Sequence, residues 1–256
     1  MKQLKLLMTA AVVAGFMAGC SKSGDTSISS PVSLKFSAAT ANGKTTIGGR
    51  MASIGSRTDA APVITLTDVK VNVRELQFDF DREDEHFKKD SAFNENDDAK
   101  LKGPFIVDLM NAGAFVDQVI ASVIVPNAKF EKISFKLAPS TEAGDMNRKS
   151  ILITGKIDTT HFVFSHNAKA RFGAKFQDSL ALATSGLAVT LAIHLELDKI
   201  MAAANGGIDL SEAKDGNGNG IISITNDPTD LDGNQKLADQ LMKLLTRHTH
   251  CEKKKD

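Results

Sequence analysis

Ile64-Thr65-Leu66-Thr67-Asp68-Val69-Lys70-Val71-Asn72-Val73-Arg74-Glu75-Leu76-Gln77-Phe78-Asp79-Phe80 decides the fold class. Ile64 and Leu66 alternate with Val63 and Thr65. Val69, Val71 and Val73 then alternate with Lys70, Asn72 and Arg74, and Leu76, Phe78 and Phe80 continue on even numbers. A period of two is that of a strand with one buried face. The phase slips between Val73 and Leu76. An unbroken strand would turn half of that apolar set to solvent, so the slip predicts a β-bulge near Arg74 and Glu75.

The same alternation recurs on either side. Val32, Leu34 and Phe36 suggest a first strand. Strands are also expected over Phe105 to Leu109, Val119 to Val125, Phe130 to Leu137, Ile151 to Ile157 and His161 to Ser165. From Gly186 onward, Leu187, Val189, Leu191, Ile193, Leu195 and Leu197 face one way. Ala188, Thr190, Ala192, His194 and Glu196 face the other. Many short strands divided by turn residues predict a mainly β fold, an antiparallel sandwich or barrel. Leu237, Leu241, Leu244 and Leu245 have helical spacing and predict an amphipathic helix over about 233–247, with Asp232 as its N-cap. Lys199 to Ala204 reads as a helical turn or two. Residues 39–60 read as a loop, because they are rich in Gly, Ser, Thr and Ala and have little to bury. The charge-dense stretch 81–102 reads as a solvated insertion.

Composition narrows the function. The chain has 256 residues, with 31 Lys plus Arg against 31 Asp plus Glu. That balance lacks the basic excess that nucleic-acid binding needs, so no nucleic-acid partner is expected. There are 14 Phe but no Trp and no Tyr, which weighs against sugar-binding and base-stacking surfaces.

The N-terminus carries the sharpest signal. Lys2 and Lys5 precede an apolar run from Leu6 to Ala18, followed by Gly19 and Cys20. Thirteen residues are too few for a spanning helix and suit a signal-peptide core. Met17-Ala18-Gly19-Cys20 resembles the lipobox of bacterial lipoproteins, with Met17 where Leu is usual. The resemblance implies cleavage after residue 19, acylation of Cys20 and an anchor in a lipid bilayer. Each buried CH₂ of such an anchor contributes about 0.8 kcal/mol. Ser21, a residue other than Asp, implies sorting to the outer membrane in a Gram-negative host. Loss of residues 1–19 removes two lysines and leaves a net charge of −2. Residues 20–31, rich in Ser, Gly and Thr, read as a flexible tether. With Cys20 acylated, Cys251 has no partner for an intrachain disulfide, so the core alone must hold the fold.

Gly103-Pro104-Phe105-Ile106-Val107-Asp108-Leu109, Val125-Pro126 and Phe130-Glu131-Lys132-Ile133-Ser134-Phe135-Lys136-Leu137 resemble a diffuse group of bacterial lipoprotein domains of unknown function. The resemblance spans about residues 60–200. It implies an immunoglobulin-like antiparallel β-sandwich in the cell envelope and no particular activity. On this reading a sandwich domain occupies 32–198. A C-terminal segment at 199–256 carries an Asn/Gly-rich loop, a short strand, the helix and a basic tail.

Few residues suggest chemistry. Asp215-Gly216-Asn217-Gly218-Asn219-Gly220-Ile221 resembles the first half of a calcium loop. Asp215, Asn217 and Asn219 would be side-chain ligands, and the Ile221 carbonyl a fourth. The twelfth position is Asn226 rather than Glu, with Asp227 or Asp230 as substitutes. The same run also reads as a plain Asn-Gly hairpin turn. His248, His250 and Cys251 could ligate a soft metal but sit in a lysine-rich tail expected to fray. Asp79, Asp81, Glu83, Asp84 and Glu85 are a solvated charge run rather than an acid/base pair. Gly43-Lys44-Thr45 lacks the context of a phosphate loop, and G-x-S-x-G and H-E-x-x-H are absent from the sequence. The expected function is therefore a non-enzymatic envelope lipoprotein that binds an envelope protein or polymer. The alternatives are calcium or other metal binding and a hydrolase with a loop-built site.

Overall fold

The computed structural model describes residues 29–48, 61–80, 100–126, 129–181 and 189–254. The fold is mainly β. Its first strands are β1 (Ser29–Ala39), β2 (Thr46–Ile47), β3 (Ile64–Phe80), β4 (Lys100–Asp108), β5 (Met110–Asn111), β6 (Ala114–Phe115) and β7 (Gln118–Pro126). They are followed by β8 (Lys129–Leu137), β9 (Ile151–Ile157), β10 (Thr160–His166), β11 (Ala170–Ala181), β12 (Val189–Glu196), β13 (Ile221–Thr225) and β14 (Thr249–Lys254). The helices are α1 (Leu197–Met201) and α2 (Gln235–Arg247).

One sheet has the order β14-β12-β1-β7. The larger has β11-β8-β3-β9-β10-β13, with β2 and β4 also on β3. Their apolar faces feed one core. Phe36 of β1 meets Phe135 of β8 edge-on at 5.0 Å between ring centres, and Phe135 stacks on Phe172 of β11 at 4.7 Å. Burying each such side chain contributes about 1.5–3 kcal/mol. The helix α2 contacts β10, β13 and α1. It buries Leu237, Ala238, Leu241, Met242 and Leu245, so it covers the part of the larger sheet around β10 and β13. His166 fastens it there: the ring Nδ1 accepts from Ala168 N, and Nε2 lies 3.1 Å from Asp239 Oδ1.

Strand β3 is the spine; it has a register shift near its end, between Asp79 and Phe80, and its apolar residues come in three phases separated by two earlier shifts. One shift lies between Val73 and Glu75, where the slip in the sequence places it, and the other between Leu66 and Asp68. A glycine on a neighbouring strand lies beside each. A Cβ on Gly155 of β9 would collide with Thr65 O, and one on Gly103 of β4 would collide with Val73 O. Between the shifts β3 exchanges β9 for β8 along one edge. Buried Asn72 stitches that exchange: its N–H donates to Ser150 O, and its Nδ2 donates to Ala138 O at 2.7 Å.

The structure corrects several expectations. The sheets are mixed rather than antiparallel, because β1 runs parallel to β12 and β10 runs parallel to β13. Alternation tells which face a residue takes but not which way the neighbour runs. The expected tether overlaps β1, since Ser29 to Pro31 already pair with Pro126 to Ile124. Within the expected loop 39–60, Thr46 and Ile47 pair with β3. The end of the expected insertion is strand: Lys100 to Lys102 pair with Gln77 to Glu75. The helix begins after Asn234, and Asp232 does not cap it, because both its oxygens hold the preceding loop. The basic tail is not frayed up to Lys254, because β14 pairs with β12 and buries Cys251. Residues 81–99, 49–60 and 1–28 lie outside the described residues. Among the described residues no helix is long and apolar enough to cross a membrane.

Candidate functional site

The Asp215 loop folds onto its own backbone. Asp215 Oδ1 accepts from Asn219 N at 3.0 Å, and Oδ2 accepts from Gly220 N at 2.8 Å. Asn217 Oδ1 accepts from Asn219 N, and Asn219 Oδ1 accepts from Ile221 N. Asp232, 3 % exposed, closes the loop from the other side by accepting from Asn217 N and Ser223 N. Asn234 clamps the base, accepting from Lys214 N and donating to Lys214 O and Ser223 O.

The three side-chain ligands expected from the sequence therefore lie in one turn. Asn226, at the twelfth position, and its substitutes Asp227 and Asp230 are engaged elsewhere. Asn226 exchanges hydrogen bonds with Asn167. Asp227 accepts from the Thr229 backbone and hydroxyl, which hold its carboxyl below the usual carboxylate range. Asp230 accepts from Ser223 Oγ and Asp232 N.

The tail histidines divide between two faces. His250 pairs in register with His194 on the outward face of β12, whereas Cys251 pairs with Ile193 and is buried in the core. Alternation on β14 thus separates His250 from Cys251, and a soft-metal site made of both is not assembled. Asp79, from the acidic run, ends on β3 with Ser134 Oγ and Gln77 Nε2 as donors and Lys132 Nζ at 3.6 Å. Asp81, Glu83, Asp84, Glu85 and Cys20 lie outside the described residues.

A second polar cluster surrounds Lys70 on the larger sheet. Its ammonium lies 2.6 Å from Asp145, 2.8 Å from Asp68 and 3.9 Å from Asp108. Partial burial works to lower the lysine pKa. The hydrogen bonds and charges of Asp145 and Asp68 outweigh it and hold the group above the ordinary lysine value. In return Lys70 draws the Asp145 carboxyl down.

The third cluster was not legible as a site in the sequence. Ser37 of β1, His194 of β12 and His250 of β14 form a row across three adjacent strands, set by the pairings Ser37↔His194 and His194↔His250. Ser37 Oγ lies 2.5 Å from His194 Nδ1. The two imidazoles are 5.3 Å apart at 30°. Glu196, two residues along β12, places Oε2 3.8 Å from His250 Nδ1 and Oε1 2.7 Å from Lys199 Nζ. That contact with Glu196 raises the Lys199 pKa.

His194, Glu196, Lys199 and His250 line a cavity of about 180 Å³ together with Thr40, Ala41 and Asp198. Asp198 is 8 % exposed and receives Ala41 N and Asn205 Nδ2, which fixes the 40–48 loop at the cavity wall. Ser37 is buried behind His194 and does not line the cavity. The serine and histidine therefore do not present a nucleophile there. The signal available in the sequence was the spacing His194-x-Glu196 on one strand face; the third member, His250, is 56 residues further on and joins through register alone.

Comparison of the chain with protein-family models, with characterised proteins and with solved structures gives no match.

Proposed function

We propose that the chain is a lipid-anchored protein of the bacterial cell envelope, held by an acylated Cys20, whose β domain is a non-enzymatic binding or structural module. The observation that carries this reading is the place of β1 in the sequence and in the sheet. β1 starts at Ser29, nine positions after the lipobox cysteine, and lies between β12 and β7. Nine extended residues reach at most about 30 Å, so the domain would stand close to the bilayer. Tension on the anchor would be borne by a strand hydrogen-bonded on both edges. Two sheets sharing one core support a sandwich of the immunoglobulin-like kind; the two parallel pairings distinguish it from a purely antiparallel plan. The partner expected for such a module is another envelope protein or polymer, at the outer membrane if the host is Gram-negative. Labelled palmitate should enter the wild-type chain and not Cys20→Ser, and the variant should move from the membrane to the soluble fraction. Unchanged fractionation would overturn the proposal.

One observation favours calcium capture as a second reading: Asp215, Asn217 and Asn219 already share one tight turn with their oxygens ordered by backbone N–H groups. With one carboxylate among them, affinity should fall near 10⁻⁴ to 10⁻³ M, roughly that of extracellular calcium modules. Heat on titration and a higher Tm in millimolar calcium are the expected results, and neither appearing would remove this reading.

A further inference from the structure

We propose that His194 and His250 form a binding site for a divalent transition-metal ion of the zinc type, completed by Glu196 and by water from the cavity beside them. The proposal is independent of lipid anchoring and of the Asp215 loop.

The register makes the pair. His194 and His250 are direct partners across antiparallel strands and project from the same face. Their ring centres are 5.3 Å apart and their planes differ by 30°. A zinc–nitrogen bond is about 2.1 Å, which puts the ion about 3.2 Å from each ring centre. Two centres 5.3 Å apart then subtend about 110° at the ion, close to the tetrahedral angle. The register therefore sets a separation that suits two imidazole ligands; the rings stack as they stand, so His250, on the edge strand, must turn to bring its nitrogen to the ion held by His194.

Ser37 supplies the support that ligating histidines usually have. It is buried on β1, a strand with partners on both sides, and it holds His194 through Nδ1. With metal bound, Nδ1–H donates to Ser37 Oγ and Nε2 is the ligating nitrogen. Such a contact fixes both tautomer and ring orientation.

Glu196 is the third ligand. As the side chains stand, no three His, Cys, Asp or Glu groups among the described residues converge on an ion position. Glu196 is drawn toward Lys199, whose side chain is 47 % exposed, while its other oxygen is 3.8 Å from His250. An exposed ion pair is weakly held, so a dication can take the carboxylate from Lys199. Two imidazoles and a carboxylate select zinc, nickel or copper over calcium and magnesium. The cavity of about 180 Å³ leaves room for water in the remaining positions, as in an open rather than a closed zinc site.

The test titrates zinc into the full chain, without an affinity tag, by calorimetry. One zinc per chain is expected, and His194→Ala and His250→Ala should each weaken binding by roughly tenfold or more. Glu196→Gln should weaken it less, and Cys251→Ser should leave it unchanged, because that thiol points into the core on the opposite face of β14. His250→Gln, on the edge strand, repeats the test with a side chain of similar size that keeps the strand paired, and its far-ultraviolet circular dichroism should match the wild type. Absence of binding at millimolar zinc, wild-type affinity in either histidine variant, or loss of binding in Cys251→Ser would overturn the proposal.

Discussion

The Asp215 loop and the His194–His250 corner are both polar and both lie beside the apolar core, yet they spend their polar atoms differently. In the loop, Asp215, Asn217, Asn219, Asp232 and Asn234 hold backbone groups, each within about one turn or one strand crossing. In the corner, Ser37, His194, Glu196, Lys199 and His250 hold one another, at the rim of a cavity. Side chains committed to backbone build structure, and removing one strands a donor. Side chains that hold other side chains can exchange partners at little cost to the fold, which is what a binding site requires. The Lys70 cluster lies between these cases: one ammonium pairs with three carboxylates on a partly exposed sheet face.

That contrast can be broken at several points. The largest effect is expected for Asp232→Ala. It leaves the Asn217 and Ser223 N–H groups without their acceptor and should lower stability by about 2–3 kcal/mol in urea unfolding. A loss no larger than that of a surface substitution would mean that the loop is not part of the framework.

A smaller effect is expected at Asp145, whose side chain is 56 % exposed. Lys70 holds its carboxyl below the ordinary value. Its contribution is present above the unfolded carboxylate pKa of about 3.9 and is lost as the pH falls through the lower folded value. The contribution of the raised Lys70 is complete below the unfolded lysine value of about 10.4 and is lost only in stronger alkali. Wild type and Asp145→Asn should therefore differ by a constant amount, under about 1 kcal/mol, from pH 5 to 9, and converge below pH 4. A gap that widens in acid would contradict the pairing.

The smallest effect is expected at the corner. His250→Gln should change stability in the absence of metal by no more than about 0.5 kcal/mol. A larger loss would make the corner structural rather than a site.

The legibility of the sequence follows the same division. The spine strand was readable, bulge included, because a buried face writes a period of two and a bulge writes a phase slip. The slip from Leu66 to Val69 is just as visible and carries the other register shift. Strand β11 was not readable: Ala170, Phe172 and Ala174 alternate too weakly beside Arg171 and Gly173. Strand β14 was hidden for a related reason. Thr249-His250-Cys251-Glu252-Lys253-Lys254 contributes Cys251 to the core and otherwise looks like a solvated tail. The loop ligands were legible because they are close in sequence. The corner was not, because residues 37, 194 and 250 meet only through parallel and antiparallel register, which local spacing does not record.

The most direct measurement of the central proposal is the mass of the mature protein's N-terminus, extracted from membranes of the native host. A chain that begins at Cys20 and carries a diacylglyceryl group is the expected result. A chain that retains residues 1–19, or that begins at Cys20 with an unmodified thiol, would contradict it.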